Sequence, residues 1–254
     1  TVHGALTPER VRALCDRRAG IGADGVLRVV RTAAIGADGA GQDAEWFMDY
    51  RNADGSVSEM CGNGVRVFGR HLAERGLADP SAPVPVATRA GVKVLTFAGG
   101  AADGEITVDM GRPAVLGDTK VAVGERSWAA LHVDMGNPHA VAFVDDLADA
   151  GPLLDAPAHD PAVYPAGVNV EFVVRRGAHH VAMRVHERGS GETRSCGTGA
   201  CAVMVAAALA DDAPRGTTYR VDLPGGTLRI GWTADDRILM TGPAVVVAEG
   251  TTAL

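Results

Sequence analysis

SEMCGNGVR at residues 58–66 and TRSCGTGAC at residues 193–201 carry one device twice: a cysteine, then Gly-x-Gly, then an apolar run. Placing Cys61 over Cys196 brings the upstream chain into register without gaps. YRNADGSVSEMCGNG (50–64) lies over VHERGSGETRSCGTG (185–199), and Met48 lies over Met183. In each copy an extended apolar segment, WFMDY or VAMRV, leads into a Gly-rich polar loop and then the cysteine. Further out, GIGADGVL (20–27) resembles GVNVEFVV (167–174), and VDMGRPAVL (108–116) resembles ILMTGPAVV (238–246). Four matches in one order read as an internal duplication. The expected fold is α/β (α+β), with two pseudo-symmetric domains at residues 1–117 and 118–245. Each is a barrel-like, mainly antiparallel sheet around a central helix that starts at the Cys-Gly-x-Gly. The tail, 246–254, is expected to pack on the first domain.

The elements follow from spacing and punctuation. Thr7-Pro8 makes an N-cap and first-turn pair, and Val11, Leu14 and Cys15 form an i, i+3, i+4 face ending before Gly20. After Cys61, the residues Val65, Phe68 and Leu72 repeat at helical spacing up to Gly76, while GACAVMVAAALA after Cys196 is apolar all round and predicts a deeply buried helix. Cys15 and Cys201 then read as core filler. VKVLTFA, EITVDM, VAFVDD, TLRIGW and AVVVAE predict short strands.

Composition narrows the function. The chain has 254 residues, 46% hydrophobic and 22% charged, which suits a soluble globular protein with a real core. No apolar run reaches the roughly 18 residues of a membrane span, and TVHGALTPER has no signal-peptide organisation. The net charge of −7, without a basic stripe, leaves no footprint for a nucleic acid. Four cysteines are too few for a disulfide scaffold and point to reduced thiols in the cytoplasm.

A helix N-terminus presents backbone N–H groups and the positive end of a dipole, so it can stabilise a thiolate or hold a carboxylate. Two such ends, one per domain, are expected to face each other across a cleft with one sulfur on each side of a ligand. Inverting a carbon stereocentre by proton exchange needs that arrangement: a thiolate removes the proton from one face and a thiol delivers one to the other. A thiol pKa near ~8.5, lowered by a helix end, makes both forms accessible near neutral pH. The N–H groups of Gly62–Asn63 and Gly197–Thr198 are placed to hold a substrate carboxylate as charge develops on it.

GIGADG, MDYRNADGSVSEMCGNGVR, DMGNPHAV, GVNVEF and VHERGSGETRSCGTGAC together resemble the diaminopimelate epimerase family, in family order and over nearly the whole chain. That resemblance implies two homologous α/β domains and pyridoxal-independent conversion of LL-2,6-diaminopimelate to the meso form, without cofactor or metal. The product feeds lysine and peptidoglycan synthesis. It implies Cys61 and Cys196 as acid/base thiols, with His139 of GNPH and Glu187 of HERG tuning them and holding the substrate amino group. Asn52, Asn137, Asn169 and Arg188 take the distal end of the substrate, where a bidentate arginine suits the second carboxylate. Gly62, Asn63, Gly197 and Thr198 take the reacting carboxylate. A homodimer is a further implication. The family opens with a strand bearing Lys-x-x-Gly-x-x-Asn-Asp-Phe. This chain starts at TVHGALTPER while its second half keeps the counterpart LHVDMGNPHAVAFV, so the first half is expected to lack that strand.

Other readings fit less well. GIGADG matches Gly-x-Gly-x-x-Gly, but a helix precedes it and a strand follows, the reverse of a dinucleotide loop. Cys196 and Cys201 have poor zinc spacing. His179-His180 reads as an exposed hairpin turn. A pyridoxal racemase needs a Schiff-base lysine, and the two lysines, Lys93 and Lys120, lie in a strand and an interdomain segment. A thiol hydrolase or transferase has no use for a second symmetric cysteine, and an amino-acid-binding protein needs neither thiol.

Overall fold

In a computed structural model, which describes residues 6–253, the chain forms two compact units. The first runs to Val108 and takes back the tail from Pro243; the second is Asp109–Gly242. Residues 1–5, the start of the segment set against the family's opening strand, lie outside the described residues.

The first unit begins with α1 (Pro8–Cys15), capped by the Thr7 hydroxyl accepting from Arg10 N–H, with Pro8 where no N–H is needed. Strands β1 (Gly25–Arg31) and β2 (Trp46–Asn52) pair antiparallel from Gly25↔Asn52 to Arg31↔Trp46. Helix α2 (Gly62–Glu74) is the crossover to β3 (Val84–Thr88), which lies parallel to β2. Strands β4 (Gly91–Phe97) and β5 (Ile106–Gly111) continue antiparallel. Val65, Phe68 and Leu72 bury the inner face of α2 at the predicted spacing.

In the second unit, β6 (Ala114–Val123), β7 (Arg126–Asp134), β8 (Pro138–Phe143) and the two-residue β9 (Ala158–His159) come first. The first unit's plan then repeats. Strands β10 (Asn169–Gly177) and β11 (His180–Glu187) pair antiparallel, and a short β12 (Gly191–Thr193) adds to β11. Helix α3 (Gly197–Ala210) crosses to β13 (Thr218–Leu223), parallel to β11, and β14 (Gly226–Trp232) and β15 (Ile238–Gly242) follow antiparallel. The series β1-β2-α2-β3-β4-β5 and β10-β11-α3-β13-β14-β15 is the duplication at the level of topology. Helix α3 touches strands from β7 to β15, so the sheet curls around it, as its uniformly apolar sequence requires. On the sheet's opposite face, Ala140, Ala142, Tyr164, Val170 and Phe172 build a separate core.

Three expectations change. Residues 109–117, assigned from the sequence to the first domain, group with the second unit: Ala114–Val123 is one strand paired with β7 along its length. AVVVAE is not a strand. At its start Arg70 Nε donates to Ala244 O, next to the bond from Arg66 Nε to Pro243 O, while Arg75 pairs with Glu249. His180 is half-buried on Asp222, and only His179 is exposed.

Candidate active site

Each signature cysteine is the N-cap of its helix. Cys61 (φ −136°, ψ 120°) and Cys196 (φ −120°, ψ 113°) take nearly the same extended backbone, which turns Sγ back over the first helical turn. Sγ of Cys61 accepts from Gly64 N–H and Sγ of Cys196 from Gly199 N–H, both at 3.4 Å. The sulfur stands where a serine or threonine oxygen normally caps a helix. Cys61 is half-buried and Cys196 buried.

Around Cys61, the Arg66 guanidinium donates to Gly62 O at 3.2 Å and to Asn63 Oδ1 at 2.9 Å, bracing the turn that carries the N–H groups at 62 and 63. Asn52 closes the preceding loop, its Nδ2 donating to Ser56 Oγ at 3.0 Å.

The second unit joins more of the candidates. His139 is fully buried, with Nδ1 2.6 Å from Glu171 Oε1 and Nε2 3.1 Å from Asn137 Oδ1, so an oxygen acceptor meets each ring nitrogen. Asn169 Nδ2 donates to Pro138 O, and its Oδ1 accepts the Arg188 backbone N–H. The asparagine thus clasps the GNPH and HERG segments together. Gly167, at φ +79°, makes room for the Arg188 stem, whose Cδ lies 3.1 Å from where a Cβ would project; the guanidinium donates to Ala166 O. Glu187 accepts from the Thr193 hydroxyl. The Thr198 hydroxyl lies 3.5 Å from Cys196 Sγ.

One expectation is reversed at Cys196. Burial pushes its thiol well above the ordinary range, and the charges of Glu187 and Glu171 push the same way. The Thr198 hydroxyl and Gly199 N–H pull it down but do not prevail. Desolvation with two nearby carboxylates outweighs the helix end, so this cysteine is held as a thiol.

Sequence reading missed Arg66 and Glu171. Glu171 left a signal, a charge inside the apolar run VNVEFVV; Arg66, on a helix flank, left none. Among the described residues, no group of three or more His, Cys, Asp or Glu is arranged to hold a metal ion.

The diaminopimelate epimerase family pattern matches residues 2–116 and 131–247. The chain belongs to that family. It is 62% identical to the diaminopimelate epimerase of Streptomyces coelicolor over 253 residues, covering 96% of this chain and 86% of that one. It is 48% identical to the diaminopimelate epimerase of Mycolicibacterium smegmatis, covering 97% and 88%. Among solved structures, the fold is similar to a hydroxyproline epimerase from Agrobacterium vitis crystallised with trans-4-hydroxy-L-proline. The TM-score is 0.65 at 17% identity, covering 94% of this chain and 79% of that one. A phenazine biosynthesis protein of Bacillus anthracis matches with a TM-score of 0.65 at 15% identity, covering 94% and 88%. Cys-Gly-x-Gly in duplicate is thus set on the plan of the epimerase family.

Proposed function

We propose that the protein epimerises LL-2,6-diaminopimelate to meso-diaminopimelate at one α-carbon, without pyridoxal, by proton exchange between Cys61 and Cys196. The observation that carries this reading is the pair of N-cap thiols at equivalent points of a duplicated plan. The family's name supplies the substrate.

In the forward direction the α-proton passes to the Cys61 thiolate while the Cys196 S–H delivers its proton to the opposite face. The C–H electron pair spreads into the substrate carboxylate, and the N–H groups at Gly62–Asn63 and Gly197–Thr198 take up that charge. His139 and Glu187 tune the thiols and hold the reacting amino group. Asn52, Asn137, Asn169 and Arg188 take the distal amine and carboxylate, with the exposed Arg188 guanidinium as the bidentate partner. Asn169 and Asn137 reach that role by exchanging their present hydrogen bonds for substrate. The product serves lysine and peptidoglycan synthesis.

Both sulfurs must stay reduced to act, so we place the protein in the cytoplasm. No helix among the described residues is long and apolar enough to cross a membrane. The homodimer implied by the family is proposed as well, with solution mass by light scattering as its check.

The direct test is NMR of LL-diaminopimelate with the reduced protein in deuterated water, no cofactor added. The reading predicts meso product with deuterium at one α-carbon. A folded, reduced protein that gives neither product nor exchange contradicts it.

A further inference from the structure

Glu171 is a carboxylate where the fold asks for an apolar residue. Its neighbours on β10, Val170, Phe172 and Val173, are all buried hydrophobic groups, and Glu171 is itself fully buried. Oε1 is anchored on His139 Nδ1 at 2.6 Å, with both side chains shielded from solvent. Oε2 has no hydrogen-bond partner among the described residues. Burying such an oxygen costs stability, so packing alone does not explain it.

Its place explains it better. Glu171 pairs across the sheet with Val185, which sets it on the same face as Glu187 two residues on. A Cβ built on Gly199 would lie 2.7 Å from Glu171 Oε1 and 3.3 Å from Cys196 Sγ. Carboxylate and sulfur therefore lie within about 6 Å of each other, the range in which a charge governs a neighbour's protonation. Only a glycine at 199 lets the carboxylate come so close to the capped sulfur.

We propose that Glu171 is a positioning residue for the reaction: anchored on His139, it keeps Cys196 protonated so that this cysteine starts the cycle as the proton donor. The proposal rests on the reading of Cys196 as one of the two exchanging thiols. Glu187 acts on the sulfur in the same sense, and the Thr198 hydroxyl opposes both. The remaining titratable groups near this end, His132, Tyr164 and His186, lie across the sheet: His132 pairs with Ala140, Tyr164 packs in the opposite core, and His186 alternates away from Glu187. Tyr219 is bonded to Asp211 at the far end of α3.

The test is alkylation of the full chain by iodoacetamide across pH, mapped to each cysteine by mass and run without substrate. In Glu171→Gln the Cys196 midpoint should fall by about one pH unit or more, with Cys61 unmoved. Glu171→Asp, which keeps the charge, should restore most of the difference. Cys201, fully buried on α3, reports folding and stays unlabelled in an intact variant. If Glu171→Gln exposes it, Glu171→Met with His139→Leu removes both buried polar partners together and must show the same fall. An unmoved Cys196 midpoint in a folded variant overturns the proposal. Because no substrate is present, the midpoints test the hold of Glu171 on Cys196 by themselves, and a failure there is distinguishable from failure of the wild-type protein to exchange the α-proton, which overturns the functional reading on which the proposal rests.

Discussion

Strands β1 and β10 occupy the same place in the two copies, yet all apolar positions of β1 are half-exposed while β10 is buried from Asn169 to Val174. Their sequences, GVLRVV and NVEFVV, are comparably apolar, so composition does not make the difference. β10 has β11 on one side and β8 parallel on the other, from Asn169↔His139 to Val173↔Phe143; β1 pairs only with β2 among the described residues. A second neighbour sets the burial of a strand in this plan. The same neighbour brings His139 to Glu171 and gives the second copy a buried polar pair. The copies also differ in how they keep a buried carboxylate. Asp49 on β2 is pushed up by burial, but the Arg89 hydrogen bond and the charges of Arg51, Arg89 and Arg28 prevail and hold it below its ordinary value. Glu171 is pushed up by burial, and His139 does not restore it. Three guanidiniums overcome desolvation where one imidazole does not.

The largest effect should show the two copies equal. Cys61→Ser and Cys196→Ser should each slow meso-diaminopimelate formation by about 10²–10⁴-fold, the usual worth of a positioned acid or base. Serine caps a helix well, so far-ultraviolet circular dichroism and urea midpoints should hold. One variant turning over like the wild type would break the equivalence.

The strands should then separate. Phe172→Ala, in a fully buried site, should cost about 3–5 kcal/mol by urea unfolding, against about 1 kcal/mol for half-exposed Val29→Ala. Equal costs would mean that β1 is as enclosed as β10.

A finer comparison lies at the paired glycines. A methyl at Gly199 meets Glu171 Oε1 at 2.7 Å, whereas at Gly64 the nearest atoms are side-chain carbons of Cys61 and Leu27 at 3.3 Å. Gly199→Ala should cost about 1–3 kcal/mol, and Gly64→Ala should be near neutral because helix propensity offsets the crowding. Chemical denaturation of both variants decides it.

The smallest effect is the dependence of stability on pH. Asp49 has a lowered native pKa, so its contribution is complete above about pH 4 and is lost as pH falls through the native value. Asp49→Asn should flatten the acid limb of unfolding free energy against pH. Glu171 has a raised native pKa; its contribution is complete below about pH 4 and is lost as pH rises. Glu171→Gln should therefore leave the acid limb in place.

Much of this was legible in the sequence because the duplication repeats short, ordered signals. Cys-Gly-x-Gly marked both helix starts, and the apolar run after Cys196 announced a helix enclosed on all sides. The strand AVVVAE was misread because apolar alternation does not say whether a ladder partner exists; where the segment begins, Arg66 and Arg70 take the carbonyls of Pro243 and Ala244 instead. The boundary shifted because β6 runs unbroken through the segment read as a linker. The thiol of Cys196 was read from its helix end alone, since no local pattern shows two carboxylates arriving from other strands.

The central claim, one monoprotic thiol per face, is tested most directly by isotope content early in the reaction. LL-diaminopimelate would be incubated with the protein in deuterated water, stopped at a few per cent conversion, and both isomers analysed by mass. The account predicts deuterium in the meso product and none in recovered LL substrate, because the thiol that removes the proton is not the one that returns it. Product retaining the original proton, or deuterium in both isomers alike, would indicate a single base serving both faces and contradict the account.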